Sequence, residues 1–477
     1  MKFRTIGFAV LGLMVAATLI WTGCSGGTST TPKTSNTAFV NVSVSDPATC
    51  EGPDGPYSHV YVTIRDVKVN SSSSAGANDS GWVDLTPSLS GQPMQVDLLG
   101  IADNQCFLAM LGTKTELQPG QYQQIRILLL DNNSGASVSG NKCTGAAANC
   151  VQLTADGSIH TLNLASEAQT GIKIPSGQIA GGAFVINAGE TRDLNIDFNT
   201  CASIVITGNG QYQLKPVLHA GEVSTTASSI NGTVVDSVSK AAIPGTVVVA
   251  LEQKDQGGVD RVIMQTTADP VTGQFVFCPV PAGTYDVVIA AVTGTGGAYA
   301  PLIITGVQPG STTGTLSMVA PPSSTQASIA GLITTSTGSA ATAADISTTA
   351  LEPVSLGGMS VPVTMPLATQ SATNLSLSTA TGTSCPANTD CVSYTLSVPA
   401  DAPYVAAWSS GTISPVQGSG PINYTVDSLA FVPQSGGTAD CSPSEVQVTT
   451  QKTGGAPLTV TPGLSLTAAD TVFTGCQ

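Results

Sequence analysis

Cysteines are the most reactive groups in this chain: there are 11 in 477 residues, against three histidines. Ten of them are Cys50, Cys106, Cys143, Cys150, Cys201, Cys278, Cys385, Cys391, Cys441 and Cys476. No C-x-x-C occurs, and His59, His160 and His219 stand far apart and away from any close cysteine pair, so the spacing of a zinc site is missing. An even set in an exported chain is instead the arithmetic of disulfides, up to five bridges in an oxidising compartment. Cys143/Cys150 and Cys385/Cys391 are close enough to staple single polar loops. Within the C-terminal segment Cys441 and Cys476 then pair by elimination. Cys50 is assigned to Cys106, which leaves Cys201 and Cys278 either joined across a domain boundary or buried and reduced.

Other chemistries lack their parts. A serine hydrolase needs a nucleophile elbow, a base and an orienting carboxylate, and no G-x-S-x-G is present. His59 is expected exposed on a strand and His219 at a domain edge. Asp193 and Asp197, four apart at period two, share a strand face, with Asp197 expected to be solvated opposite Leu194, Ile196 and Phe198. Asp131-Asn132-Asn133-Ser134-Gly135 offers hard oxygens but lacks the spacing and distal Glu of a calcium loop. The expectation is no enzyme, no metal and no cofactor.

The eleventh cysteine, Cys24, closes the N-terminal segment. Lys2 and Arg4 precede an uncharged run of sixteen residues, Ile6 to Trp21. A membrane-spanning helix needs about 20, so this is the layout of an export signal. The following Thr22-Gly23-Cys24-Ser25-Gly26-Gly27 resembles a bacterial lipobox, with Trp21 where that motif usually has Leu. The resemblance implies a diacylglycerol anchor on Cys24, a signal peptide over 1–23 and a Gly/Ser/Thr-rich tether over 24–37. Ser25 is not the Asp that retains some lipoproteins at the inner membrane, which favours the outer one.

Only 9% of residues are charged, and the formal net charge of −15 becomes −17 once Lys2 and Arg4 leave with the signal. That balance repels phosphate backbones and excludes nucleic acid as a partner. Long amphipathic helices need charged faces, and no sustained 3.6-residue period follows the signal. Period-two alternation is present instead: Val40, Val42, Val44; Val60, Val62, Ile64; Leu194, Ile196, Phe198. The fold expected is all-β, tandem antiparallel sandwiches over 38–222, 228–319 and 327–477, with linkers near Val223 to Ala227 and Pro321 to Thr325.

Ordered motifs make the resemblances specific. Tyr57 to Val69, Gly81-Trp82-Val83-Asp84-Leu85, Val96-Asp97-Leu98-Leu99, Leu117 to Arg126, Gly171 to Gly177, Asp193 to Phe198 and Gly210 to Val217 together resemble the DUF4382 family of bacterial lipoprotein domains, whose activity is unknown. Asp269 to Tyr285, with Gly273 turning the chain, Phe275 and Phe277 facing a core and Pro281-Ala282-Gly283 entering the next strand, is similar to the carboxypeptidase regulatory-like domain. That resemblance implies a transthyretin-type sandwich without the zinc peptidase. The third segment opens with Ser328-Ile329-Ala330-Gly331-Leu332-Ile333, an echo of Ser229-Ile230-Asn231-Gly232-Thr233-Val234; a further Ig-like sandwich is expected there.

Two functions compete on this basis. One is a lipid-tethered, non-enzymatic stalk whose partner is the membrane and an envelope protein. The other is a carbohydrate-binding lipoprotein, which the starch-binding-like relatives of the second segment's fold loosely imply. Sugar sites stack rings on exposed aromatics; the aromatics available are Trp82 and Trp408 outside that segment, Tyr285 expected in the core and Tyr299 expected exposed. An internal isopeptide is excluded, because no Asn follows Asn231 within the second segment.

Overall fold

The structure is a computed structural model, and it describes residues 37–45, 57–99, 109–145, 147–164, 170–198, 200–206, 210–214, 218–223, 229–322, 324–342, 344–367, 374–376, 385–410, 413–431 and 440–476. The chain is all-β, with sheets that mix parallel and antiparallel pairs. The signal, Cys24 and nearly all of the tether lie outside the described residues.

The first segment is a two-sheet sandwich. One sheet runs in the order Leu218–Val223, Thr191–Phe198, Ala38–Ser45, Ala109–Leu117, with Ala38–Ser45 parallel to Thr191–Phe198. The other is built around the long strand Tyr57–Asn70, flanked by Gln124–Leu129 and Cys150–Leu153. The alternating residues do what period two dictates: Val40, Val42 and Val44 meet Val60, Val62 and Ile64 in one core with Leu194, Ile196 and Phe198.

The second and third segments are not two separate sandwiches, as the sequence led us to expect; they share a sheet. Its centre is Leu302–Val307, Tyr285–Thr293, Gly245–Lys254 and Asp260–Thr267, all from the second segment. The third segment extends it at both edges. Tyr404–Ala407 runs parallel to Leu302–Val307, and Met359–Thr364 meets Asp260–Thr267 at Asp260 and Val363. Both faces of the central strands are covered. Val287 and Ile289 pack with Phe275, Phe277 and Ile230 on one side, while Val288 and Ile303 pack with Ile329, Leu396 and Val426 of the third segment on the other. The physical reason is in the residues: Val247 to Leu251 and Val287 to Ala291 are continuously apolar, which is how a strand buried on both faces reads.

The Pro321–Thr325 stretch is accordingly not a free linker. The Ala298 amide donates to the Ser324 carbonyl at 3.0 Å, Ser324 donates its hydroxyl to the Asp401 carboxylate, and Thr325 bridges to Gly297. The echo between segments has a structural basis. Gly232 lies opposite Phe275 and Gly331 opposite Tyr394 in their antiparallel pairs, and a Cβ at either glycine would stand within 3.0 Å of that ring. Each glycine lets an aromatic side chain lie across the strand's backbone.

Candidate functional site

The residues nominated by sequence are dispersed. Cys143–Cys150, Cys385–Cys391 and Cys441–Cys476 are disulfides. Cys278 is also disulfide-bonded, so it is not a buried thiol. It is the lone cysteine between 228 and 319, and its bond therefore leaves the second segment. Cys24, Cys50 and Cys106 and the side chain of Cys201 lie outside what the structure describes, so the assignment of Cys50 to Cys106 has no counterpart here.

His59 is half-exposed, its Nδ1 2.6 Å from Asp97 Oδ2 and its ring stacked on Tyr61. His160 Nε2 lies 2.9 Å from Ser158 Oγ. No hydroxyl or thiol is hydrogen-bonded to the second nitrogen of His59 among the described residues. His219 lies on Leu218–Val223, the edge strand of its sheet, and is buried there; burial pushes its pKa down to about 4. Asp197 is a second correction. It is buried rather than solvated, accepting from Ser45 Oγ at 3.0 Å, and burial pushes its pKa up to about 7. The strand Thr191–Phe198 hides its polar face as well as its apolar one. Asn41 donates to Asp193 at 2.6 Å and Ser43 to Asn195 at 3.0 Å, a polar ladder that continues to Ser45 and Asp197, where Asp197 Oδ2 is left without a donor. Asp131 to Gly135 is a turn held by the Asp131 carboxylate accepting from the Asn133 amide.

The aromatics change the standing of a sugar platform. Phe275, Phe277, Tyr285 and Tyr299 are all the aromatic residues of the second segment, and all four are buried. Tyr299, expected exposed, is packed inward and donates its hydroxyl to Asp236 at 3.1 Å. Trp82 is half-buried, donates to the Gly76 carbonyl and is covered by the Arg126 guanidinium 5.1 Å from its ring centre.

The structure gathers charge at two places that the sequence reading passed over. At the seam of the second and third segments, Arg261 binds three carboxylates: Asp255 at 2.7 Å, Asp427 at 2.6 Å and Glu445 at 2.7 Å. Asp427 is fully buried, and burial raises its pKa to about 6 even against the pull of Arg261. Burial works against the guanidinium's charge too, yet its three partners push its pKa up.

At the seam of the first and second segments lies a cavity of about 420 Å³ lined by Gly181 and Gly182 of the first and by Glu252, Asp260, Thr284 and Asp286 of the second. Glu252 and Asp286 are cross-strand partners on Gly245–Lys254 and Tyr285–Thr293, and Asp260 comes from the next strand. Like charges directly opposite destabilise a strand pair. Burial first, and neighbouring carboxylates second, raise Asp260 to about 8 and Glu252 well above the carboxylate range. Hydrogen bonds knit the seam beside it, from Gly181 N to Gln253 Oε1 at 2.9 Å and from Ala282 N to the Glu222 carbonyl at 3.2 Å. The signal was present in the sequence: in a chain with 9% charged residues, Glu252 directly follows the apolar run Val247 to Leu251.

Comparison with known proteins identifies one part of the chain. Residues 37–216 match the family described as "Domain of unknown function (DUF4382)", and the chain carries that domain. No curated protein matches the chain. Among solved structures, the shaft pilin SpaA from Lactobacillus rhamnosus GG is similar at 10% identity, over 60% of this chain and 98% of its own, with a TM-score of 0.17. The Bacillus anthracis TIE protein is similar at 8% identity over 91% of this chain and 49% of its own, TM-score 0.15. A streptococcal ancillary pilin is similar at 9% identity over 67% and 80%, TM-score 0.15.

Proposed function

We propose that the chain is a lipid-anchored, non-enzymatic protein of the cell envelope, a stalk of β-modules that holds a structural or binding face away from the membrane. The observation that carries the reading is the fastening of the module seams. The second and third segments share a sheet and the Arg261 clamp, and Cys278 forms a disulfide that leaves its own segment. Buried charge clamps and cross-segment bridges resist relative movement, which suits a spacer. The bridges also require an oxidising compartment. The anchor is diacylglycerol on Cys24, the destination favoured is the outer membrane, and the partner is an envelope protein. The second segment's sheets are read as the carboxypeptidase regulatory-like sandwich, used as structure. A sugar site on that segment is disfavoured because its four aromatics are buried.

Labelling cells with a radioactive or clickable fatty acid tests the anchor. The wild-type chain should incorporate label, and Cys24→Ala should carry none and either remain uncleaved or appear as a soluble product. Equal incorporation in both would remove the anchor from the account.

A further inference from the structure

The strand by which the chain enters each segment is held in the same way three times. Ala38–Ser45, Ile230–Asp236 and Ala327–Thr335 are the first described strands of the three segments, and each lies inside its sheet rather than at an edge. On one side each pairs antiparallel, with Ala109–Leu117, Gln274–Phe277 and Asp390–Val398 in turn. On the other side each pairs in parallel with strands from later in its own segment: Thr191–Phe198; Thr312–Met318; and Ser465–Thr467 with Thr471–Phe473. Ladder bonds run across the strands. Drawing an entry strand out lengthwise therefore loads both of its ladders together, whereas peeling it from one end breaks the bonds in turn. In the second and third segments the parallel pairing also sets entry and exit at opposite ends of the pair, Ile230 against Met318 and Ala327 against Phe473. The first segment is not part of this device, because its exit strand Leu218–Val223 returns to the end at which Ala38 enters.

Two glycines key these strands in register. The Phe275 ring lies against Gly232 and the Tyr394 ring against Gly331, so close that a Cβ at either position would fall within 3.0 Å of ring atoms. Sliding the strand toward its N-terminal end brings Thr233 or Val234 under the first ring and Leu332 or Ile333 under the second, and no side chain fits there. The slide also pulls Ile230, Val234, Ile329 and Ile333 out of the core, where all four are fully buried. We propose that the joined second and third segments bear tension: a pull entering at Ile230 and leaving past Phe473 is carried by entry strands clamped in shear on both sides and keyed by Gly232 and Gly331. The far end is fastened as well. Cys476 is bonded to Cys441 on Asp440–Val448, the edge of the shared sheet, so a pull past Phe473 is divided between two sheets. The inference rests on the reading of the chain as an anchored stalk, which sets where the load enters.

Single-molecule force spectroscopy on the exported chain tests the clamp, with handles attached through azide-bearing residues so that the cysteines stay paired. Handles at Ser229 and Ala320 load the pair Ile230–Asp236 and Thr312–Met318 lengthwise. Handles at Ser229 and Gln308 stand at one end of that pair, where Gly310 donates its amide to the Ser229 carbonyl at 2.8 Å, and peel it open. Forced unfolding reads the barrier to unfolding in the loaded direction. The lengthwise pull should rupture at a several-fold higher force than the peel, and a pull on the two ends of the chain should leave the joined unit folded up to that higher force. Phe275→Leu keeps an apolar side chain in the core but withdraws the ring from Gly232. With its fold checked by circular dichroism, this variant should lose more of the lengthwise force than of the peeling force. Equal forces in the two geometries, or a joined unit that opens at the peeling force when the chain is drawn by its ends, would overturn the proposal. Neither result bears on the anchor, which fatty-acid labelling at Cys24 tests separately.

Discussion

The first segment and the joined second and third segments cover their sheets in opposite ways. In the first, apolar residues alternate toward a single core, and the other face of the sheet is polar: Asn41, Ser43 and Ser45 bonded to Asp193, Asn195 and Asp197. In the second, the central strands are apolar on both faces, and each face borrows its cover from a different part of the chain. The core of one region is built from its own residues; that of the other is complete only with its neighbour. The sharper the alternation, the more independent the module, and a continuous apolar run announces a partner layer.

The clamp at the shared seam gives the largest expected single-site effect. Arg261→Met leaves Asp427 buried and uncompensated, and removing one partner of a buried pair costs about 3–5 kcal/mol. Urea unfolding should show that loss. The double variant Arg261→Met with Asp427→Leu should recover most of it, and no recovery would mean the clamp acts by packing alone.

The staples rank by loop length. In the chain-entropy view the 35-residue separation of Cys441–Cys476 is worth about 4 kcal/mol and the 6-residue one of Cys385–Cys391 about 2 kcal/mol. Paired Cys→Ser variants measured by thermal unfolding should follow that order.

Next are the glycines that the echo singles out. A Cβ on Gly232 would lie 2.0 Å from Thr313 Oγ1 and 2.9 Å from the Phe275 ring, and one on Gly331 2.3 Å from the Tyr394 hydroxyl. Overpacking of this kind costs about 1–3 kcal/mol. Gly232→Ala and Gly331→Ala should each lose stability, while Gly135→Ala, where a Cβ meets nothing, should suffer only from its left-handed φ of 68°.

The last effect is on pH dependence, and it sharpens the comparison because both regions contribute. Burial raises Asp197 in the first segment to about 7, and Asp260 and Glu352 in the joined unit to about 8. The native state keeps protons that the unfolded chain releases, so stability falls as pH climbs from about 4 toward 8. His219, lowered to about 4, works the other way below its unfolded value near 6.5. The raised carboxyls, Glu252 and Asp427 among them, outnumber the one lowered imidazole, so urea midpoints should decline from pH 5 to pH 8. Asp197→Asn with Glu352→Gln should flatten that decline.

Period-two residues such as Val40 to Val44 revealed the strands and the core of the first segment, because a half-buried strand is written in its own alternation. The bridges Cys143–Cys150 and Cys385–Cys391 were also legible from spacing, and Cys441–Cys476 by elimination. The shared sheet was not, since Val287 to Ala291 shows that both faces are buried but not by what. The same limit hid the clamp: Arg261, Asp427 and Glu445 are 166 and 184 residues apart, and only the fold brings them together. Pro and Ser composition at Pro321 to Thr325 suggested a linker because composition reports backbone preference, whereas Ser324 is fixed by a tertiary contact with Asp401.

The central claim, that the second and third segments are one cooperative unit, is tested by cutting the chain between them. A protease site introduced at Ser323, once cleaved, should leave fragments that co-elute on size exclusion and melt in a single calorimetric transition. Fragments that separate and unfold independently would contradict it.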